Sequence, residues 1–148
     1  MNVQTTRFGV VEIDDDKVIN FPSGLLGFSS YRRYVLLQPD DDAVFFWLQS
    51  VDAPELAFVV TDPSMWVSEY EVPIRKDQME EMGLGRLEDA QVLVIVNKRG
   101  AMLTANLQGP IIINSLRHSA QQLVLADKKW STRFEIMAAP QAQLAATA

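Results

Sequence analysis

Two runs of three aspartates, Asp14–Asp16 and Asp40–Asp42, and a single histidine, His118, are the side chains whose type or spacing could do chemistry. Three adjacent carboxylates can collect a hard cation such as Ca²⁺. An EF-hand loop, however, spaces its acids at alternate positions around a glycine, and neither run does so. A solvated turn is the simpler reading of each. His118 stands between Arg117 and Ser119 with no second histidine at metal spacing, so it reads as a surface residue of a polar linker. No serine sits in G-x-S-x-G, and a triad through His118 would need Ser and Asp from distant segments. The absence of cysteine excludes a disulfide framework, a thiolate zinc site and a cysteine nucleophile. Glu12, Asp62 and Glu71 are the isolated acids, each most simply a strand-edge or turn residue. Catalytic carboxylates need an apolar setting, which turn clusters lack. A small-molecule hydrolase with paired carboxylates is therefore the enzymatic alternative to a binding protein. The residues imply no metal and no cofactor.

These groups are carried by an array of short strands. Thr5–Ile13 and Lys17–Phe21 read as strands joined by an Asp14–Asp16 hairpin turn, because β-branched and aromatic residues dominate both. Pro22–Phe28 is a glycine-punctuated loop whose Leu25 and Phe28 should lie on the core. It lacks the Lys-Ser/Thr of a phosphate loop. A helical turn over Ser29–Arg33 precedes a strand at Tyr34–Gln38, and Asp40–Asp42 makes the next turn. Strands follow at Val44–Ser50, Leu56–Thr61, Gln91–Asn97, Ala101–Leu107, Ile111–Asn114, Gln121–Leu125 and Phe134–Met137. Asp77 and Glu80 have the spacing of a capping box for one short helix stopped by Gly83. Met79 and Met82 share one face of it, fit for core packing or for a binding surface. The expected fold is all-β, mainly antiparallel: a single compact β-barrel-like domain over 1–137 with one or two short helices. Residues 138–148, alanine-rich and uncharged, read as a flexible tail.

Composition narrows the partners. The chain has 148 residues and is 48% hydrophobic, enough for one cored domain. Its net charge is −6, and the first 75 residues alone carry −7, with 12 acids against 5 bases. Such a surface repels phosphates, so direct nucleic-acid binding is not expected, while a basic protein partner would be steered in. The polar start Met1–Arg7 and the lack of any apolar run near ~20 residues give no secretory signal or membrane helix. A soluble, cytoplasmic protein, monomeric when free, is expected.

Phe45–Pro63 carries the most information. Strand alternation puts Phe45 and Trp47 on one face of the first strand and Phe46 and Leu48 on the other. One pair can fill the core. The other must be covered by the chain itself or by a partner.

Phe46-Trp47-Leu48-Gln49-Ser50 followed by Pro54–Pro63 resembles the signature of the flagellar assembly factor FliW family. Three further stretches agree. Phe21–Phe28 is similar to the family's G-L-P-G-F loop, Thr104–Asn114 to its T-x-N-L-x-A-P-I-x-I-N block, and Gln121, Gln122, Leu125 and Arg133 to its C-terminal strand. Leu26 stands where proline is usual, Gly109 where alanine is, and Trp130 where tyrosine is common.

The resemblance implies a non-enzymatic, partner-switching regulator. One partner would be CsrA, a dimeric RNA-binding repressor of flagellin translation, and the other flagellin itself. Flagellin would compete for the protein and free CsrA, coupling flagellin synthesis to secretion. The partner-contacting residues expected from it are Phe46, Trp47, Leu48 and Gln49, with Asp62, Asn106 and Asn114 as hydrogen-bonding neighbours. For the two asparagines a turn or cap role is the alternative.

Overall fold

The computed structural model describes residues 1–139. Eleven strands are present among them: β1 (Asn2–Thr5), β2 (Gly9–Glu12), β3 (Ile19–Asn20), β4 (Arg33–Leu37), β5 (Phe45–Ser50), β6 (Ala57–Thr61), β7 (Ala90–Arg99), β8 (Met102–Ala105), β9 (Ile111–Asn114), β10 (Ser119–Gln122) and β11 (Phe134–Ala138). One α-helix, α1 (Lys76–Glu81), joins β6 to β7 together with short 3-10 turns.

The main sheet runs β11-β8-β7-β6-β5-β4-β3-β10-β9, and β9 also pairs with β7. That last pairing closes a ring, β7-β6-β5-β4-β3-β10-β9, while β8 and β11 extend from β7 outside it, with β11 as an edge strand. All pairings are antiparallel except β3 with β10. The length of β7 makes closure possible. Its residues 96–99 pair with β8 and its residues 90–93 with β9, so one strand serves two partners along one edge. The chain leaves that edge between them in the Asn106–Pro110 loop. The predicted barrel-like, antiparallel all-β fold is what the structure shows.

Alternation sorts the side chains. Ile111 and Ile113 point into the barrel with Phe21, Tyr34, Leu48, Val60 and Leu93. Ile112 points out and is buried by Met82, Leu84 and Leu123, with Val72, Ile74 and Met79 against it. A third cluster places Val94, Ala105 and Leu107 under Tyr70, Trp130 and Ile136. Burying one such aliphatic side chain contributes about 1.5–3 kcal/mol. The near-continuous apolar runs of β7 and β9 thus have a cause: both faces are covered, one by the barrel interior and one by helix and loops. Met79 and Met82 are packing residues of that outer layer.

Several local expectations are corrected. The N-terminal hairpin is β1 with β2, turning at Thr6–Phe8, and Asp15–Lys17 forms a 3-10 turn instead of the hairpin bend. Thr5 decides this: its hydroxyl donates to Gly9 C=O and accepts from Phe8 N–H, closing the earlier turn. Ser29–Arg33 is not helical; it is a turn leading into β4. The helix starts two residues earlier than the Asp77/Glu80 spacing suggests. Arg75 is the N-cap, and Gln78 accepts its N–H at 2.9 Å. Asp77 instead pairs with Arg75 at 3.1 Å, which holds its carboxyl below the usual range. The strand expected at Gln121–Leu125 is β10, at Ser119–Gln122, because His118 (φ 52°) makes a tight turn directly after β9. Ala138 belongs to β11, and residues 140–148 of the predicted tail lie outside the described residues.

Tyr34 is fully buried, its ring edge-on to Phe21 at 5.2 Å, and its hydroxyl has no hydrogen-bond partner among the described residues. An unsatisfied buried hydroxyl costs about 1–3 kcal/mol, so Tyr34→Phe should stabilise the protein by about 1 kcal/mol. Burial, aided by Tyr31, pushes this phenol up from 10.0 to about 12. The folded state therefore favours the neutral form. Its contribution is complete below the ordinary phenol value and is lost as pH rises through the folded one. Urea unfolding of both proteins at neutral and at alkaline pH checks this: the Phe variant should gain further on the wild type at the alkaline end.

Candidate protein-binding surfaces

The apolar strand β5 spends both of its faces inside the molecule. Leu48 is 0% exposed in the barrel, and Phe46 packs against the same cluster. On the outer face Trp47 is covered by the N-terminal hairpin, with Phe8 at 6.0 Å and the Arg7 guanidinium 4.4 Å over its ring. Phe45 stacks on Trp66 at 5.8 Å, and Trp66 Nε1–H donates to Thr61. The chain covers both faces of this strand itself.

The polar candidates divide. Gln49 is 1% exposed, and its amide N–H group faces the carbonyls of Ser50, Ala53, Pro54 and Leu56 at 3.1–3.4 Å. It clamps the β5–β6 turn. Asn114, also 1% exposed, donates to Met82 C=O at 2.8 Å and accepts from Leu116 and Arg117 N–H. It ties the end of α1 to the β9–β10 turn. Leu48, Gln49 and Asn114 thus have no surface to offer, because each is consumed by an internal contact. Asn106 is half-buried and accepts from Gln108 and Gly109 N–H, shaping the β8–β9 loop. Asp62 is exposed and accepts from Ser64 N–H at 2.9 Å and Ser64 Oγ–H at 2.7 Å.

Of the potentially catalytic groups, Glu12, Asp62 and Glu71 are all exposed. His118 is half-buried, with Nδ1 bonded to Asp16 C=O, so it is a tie between two turns and not a free surface residue. Among the described residues no group of three His, Asp or Glu could hold a metal ion.

Two concave surfaces stand out among the described residues. One, about 290 Å³, lies between the Ser23–Ser29 loop and Glu81, Gln121 and Gln122. Gln122 builds it: its Oε1 accepts Leu26 N–H at 2.9 Å and its Nε2–H donates to Gly109 C=O at 3.0 Å. Two distant stretches of the sequence signature meet at this one side chain. Leu26 is left 59% exposed at the tip. The other, about 500 Å³, is lined by Asp62, Pro63, Tyr70, Val72, Glu88 and Val92, among others. Tyr70 is anchored there by its hydroxyl donating to Leu107 C=O at 2.6 Å, and burial pushes its phenol well up. Asp62 is on this rim and Asn106 is not. Tyr70, Val72, Glu88 and Val92 gave no signal in the sequence as site residues, since their types are ordinary. Pro63, which ends β6, was the one local hint.

This overall fold is shared with known proteins. The family model described as FliW protein matches residues 2–136. The chain belongs to the FliW family of flagellar assembly factors. A FliW from Geobacter sulfurreducens is 41% identical over 135 residues, covering 90% of this chain and 84% of that one. One from Treponema denticola is 39% identical over 140 residues, covering 93% and 95%. A crystal structure of the flagellar assembly factor FliW superposes with a TM-score of 0.85 at 30% identity, covering 95% of this chain and 99% of the other. FliW relatives thus share the whole described domain. The relatives are named as assembly factors, and none of the names cited is that of an enzyme. No helix among the described residues is long and apolar enough to cross a membrane.

Proposed function

We propose that this chain acts as a cytoplasmic partner-switching assembly factor. Monomeric when free, it binds CsrA and relieves repression of flagellin mRNA. It also binds flagellin, which competes for it, so that synthesis follows secretion. Membership of the FliW family across the entire ring is the observation that carries this reading. The surface agrees with it. Asp14–Asp16 and Asp40–Asp42 are all exposed, and a negative surface seated on an RNA-binding partner would disfavour nearby phosphates at long range.

The test is a pull-down with purified CsrA and purified flagellin at low and at moderate salt. The wild-type chain should retain each, and flagellin should displace CsrA. Displacement of RNA from CsrA should weaken as salt rises, because exposed charges are screened over about 8–10 Å. Asn at all six clustered aspartates should blunt RNA displacement at low salt. Undiminished displacement by that variant would remove the electrostatic part. Retention of neither partner would remove the whole proposal.

A further inference from the structure

The ladder of β7 is incomplete at its N-terminal half. Residue parity shows which backbone groups are left over. Ser115 N–H donates to Asp89 C=O, Asn106 N–H donates to Ile95 C=O, and the two-residue turn at Gly100 and Ala101 makes Arg99 and Met102 a bonded pair. Odd-numbered residues of β7 therefore aim their backbone groups at β8 and β9. Even-numbered ones aim at β6. Val94 and Val96 meet β6 there, opposite Thr61 and Val59. The next position along, opposite Val92, falls to Pro63. Proline has no N–H to donate, and Pro63–Met65 turns away as a 3-10 segment whose carbonyl at Pro63 accepts from Trp66 and Val67. Val92 N–H and C=O, and Ala90 C=O, are left without a strand partner among the described residues. The cavity of about 500 Å³ lies against this gap.

Its walls state what would fit. Tyr70, Val72, Ala90, Val92 and Pro63 are apolar. The charged groups lining it are Asp62 and Glu88, with no base; Arg86 reaches Glu88 from outside at 3.6 Å. Exposed Glu69 and Glu71 flank Tyr70 in the chain.

We propose that a partner protein inserts an extended segment here, adding a short strand to β7 beyond the end of β6. The segment would alternate apolar residues with Lys or Arg. Its backbone would satisfy Val92, its apolar side chains would enter the cavity, and its cations would meet Asp62 and Glu88. This is the strand-addition mode, in which main-chain bonds give affinity and side-chain pockets give specificity. The inference rests on the reading of the chain as a protein-binding factor and names the surface and the chemistry of one partner segment.

Amide hydrogen exchange by NMR on the full chain tests it. The probe is a Lys-Val-Lys-Val-Lys-Val hexapeptide with blocked ends. Exchange at Val92 N–H should slow by at least about tenfold at saturation, the protection expected of a newly bonded amide. The Glu-Val counterpart, and the same peptide N-methylated at alternate residues, should give no protection. Asp62→Asn with Glu88→Gln should weaken binding by roughly fivefold or more, from loss of two partly screened ion pairs. Both positions are exposed and Asn retains the acceptor for Ser64, so the fold should persist. Binding that leaves Val92 exchange unchanged, or no binding, overturns the proposal. So does protection of Val92 in the free protein that rises with protein concentration, which would identify a second copy as occupant. Loss of such protection on removing residues 140–148 would identify the chain's own terminus and overturn it equally. CsrA and flagellin retention, assayed on the same samples, reports on the proposed function separately.

Discussion

Gln49→Glu should unfold the protein readily at neutral pH, at a cost of about 3–5 kcal/mol, the range for an uncompensated buried charge. The side chain is 1% exposed and is ringed by the carbonyls of Ser50, Ala53, Pro54 and Leu56. A carboxylate there would face four acceptors and no donor. Against a total stability of about 5–15 kcal/mol this is a large share. The sign of the pH effect follows. Desolvation raises the folded-state pKa of the new Glu above its unfolded value, so the folded state favours the neutral acid. The charge-dependent part of the variant's deficit should be absent below the unfolded pKa of about 4.3 and should grow as pH rises through the folded value, while a smaller deficit stays at low pH because a carboxylic acid has one O–H where the amide has two N–H. Gln49→Leu should be milder, about 1–2 kcal/mol, because three of those carbonyls keep another partner. Pro54 C=O accepts from Thr6, Leu56 C=O from Ser50, and Ala53 C=O from Leu56. Urea unfolding across pH checks both variants. A Gln49→Glu protein as stable as wild type at neutral pH would show that the turn does not depend on this amide.

Gly24→Ala is the second large effect. Gly24 has φ +66°, and a Cβ there would lie 2.7 Å from Ser29 Cα and 2.8 Å from Phe28 O. Both contacts are backbone, so relief requires the loop to move. Left-handed conformation costs a non-glycine residue about 1–2 kcal/mol. Forcing a backbone shift adds about 1–3 kcal/mol. Gly27→Ala provides the contrast. Its φ is +82°, but nothing lies within 4 Å of a Cβ, so only the conformational cost of about 1–2 kcal/mol applies. Thermal melts should place Gly24→Ala well below Gly27→Ala. Equal melting temperatures would mean that the loop yields freely at Ser29. The loop matters because it seats Leu25, 2% exposed, and holds Phe28 edge-on to Phe58 at 5.2 Å.

Strand content was legible because the signals are local. Gln91–Asn97 and Ile111–Asn114 are dense in β-branched residues, and Asp62-Pro63, Gly100 and Gly83 end their elements as their chemistry requires. Local signals also misled. The Asp77/Glu80 spacing suggested a cap that Arg75 in fact occupies, and Asp14–Asp16 looked like the hairpin turn that Thr5 makes possible at Thr6–Phe8. In both cases an acid has a good local role available and a neighbouring group takes it instead.

The site was less legible than the fold. Gln49 and Asn114 stood out as polar residues beside apolar strands, where partner contacts and internal clamps look alike. Only the carbonyls arriving from Pro54, Leu56 and Met82 distinguish them. By itself the sequence determined the class of structure, the family, the negative surface and the alternation that splits Phe45–Leu48 into two faces. Those follow from residue type and short-range spacing. The tertiary structure alone decided that both faces are covered within the chain: Phe46 and Leu48 by the barrel interior, Trp47 by Phe8 and Arg7, and Phe45 by Trp66. It alone also placed the gap beside Val92. Burial and unpaired backbone groups depend on what residues tens of positions away bring to the same place, and no local pattern records that.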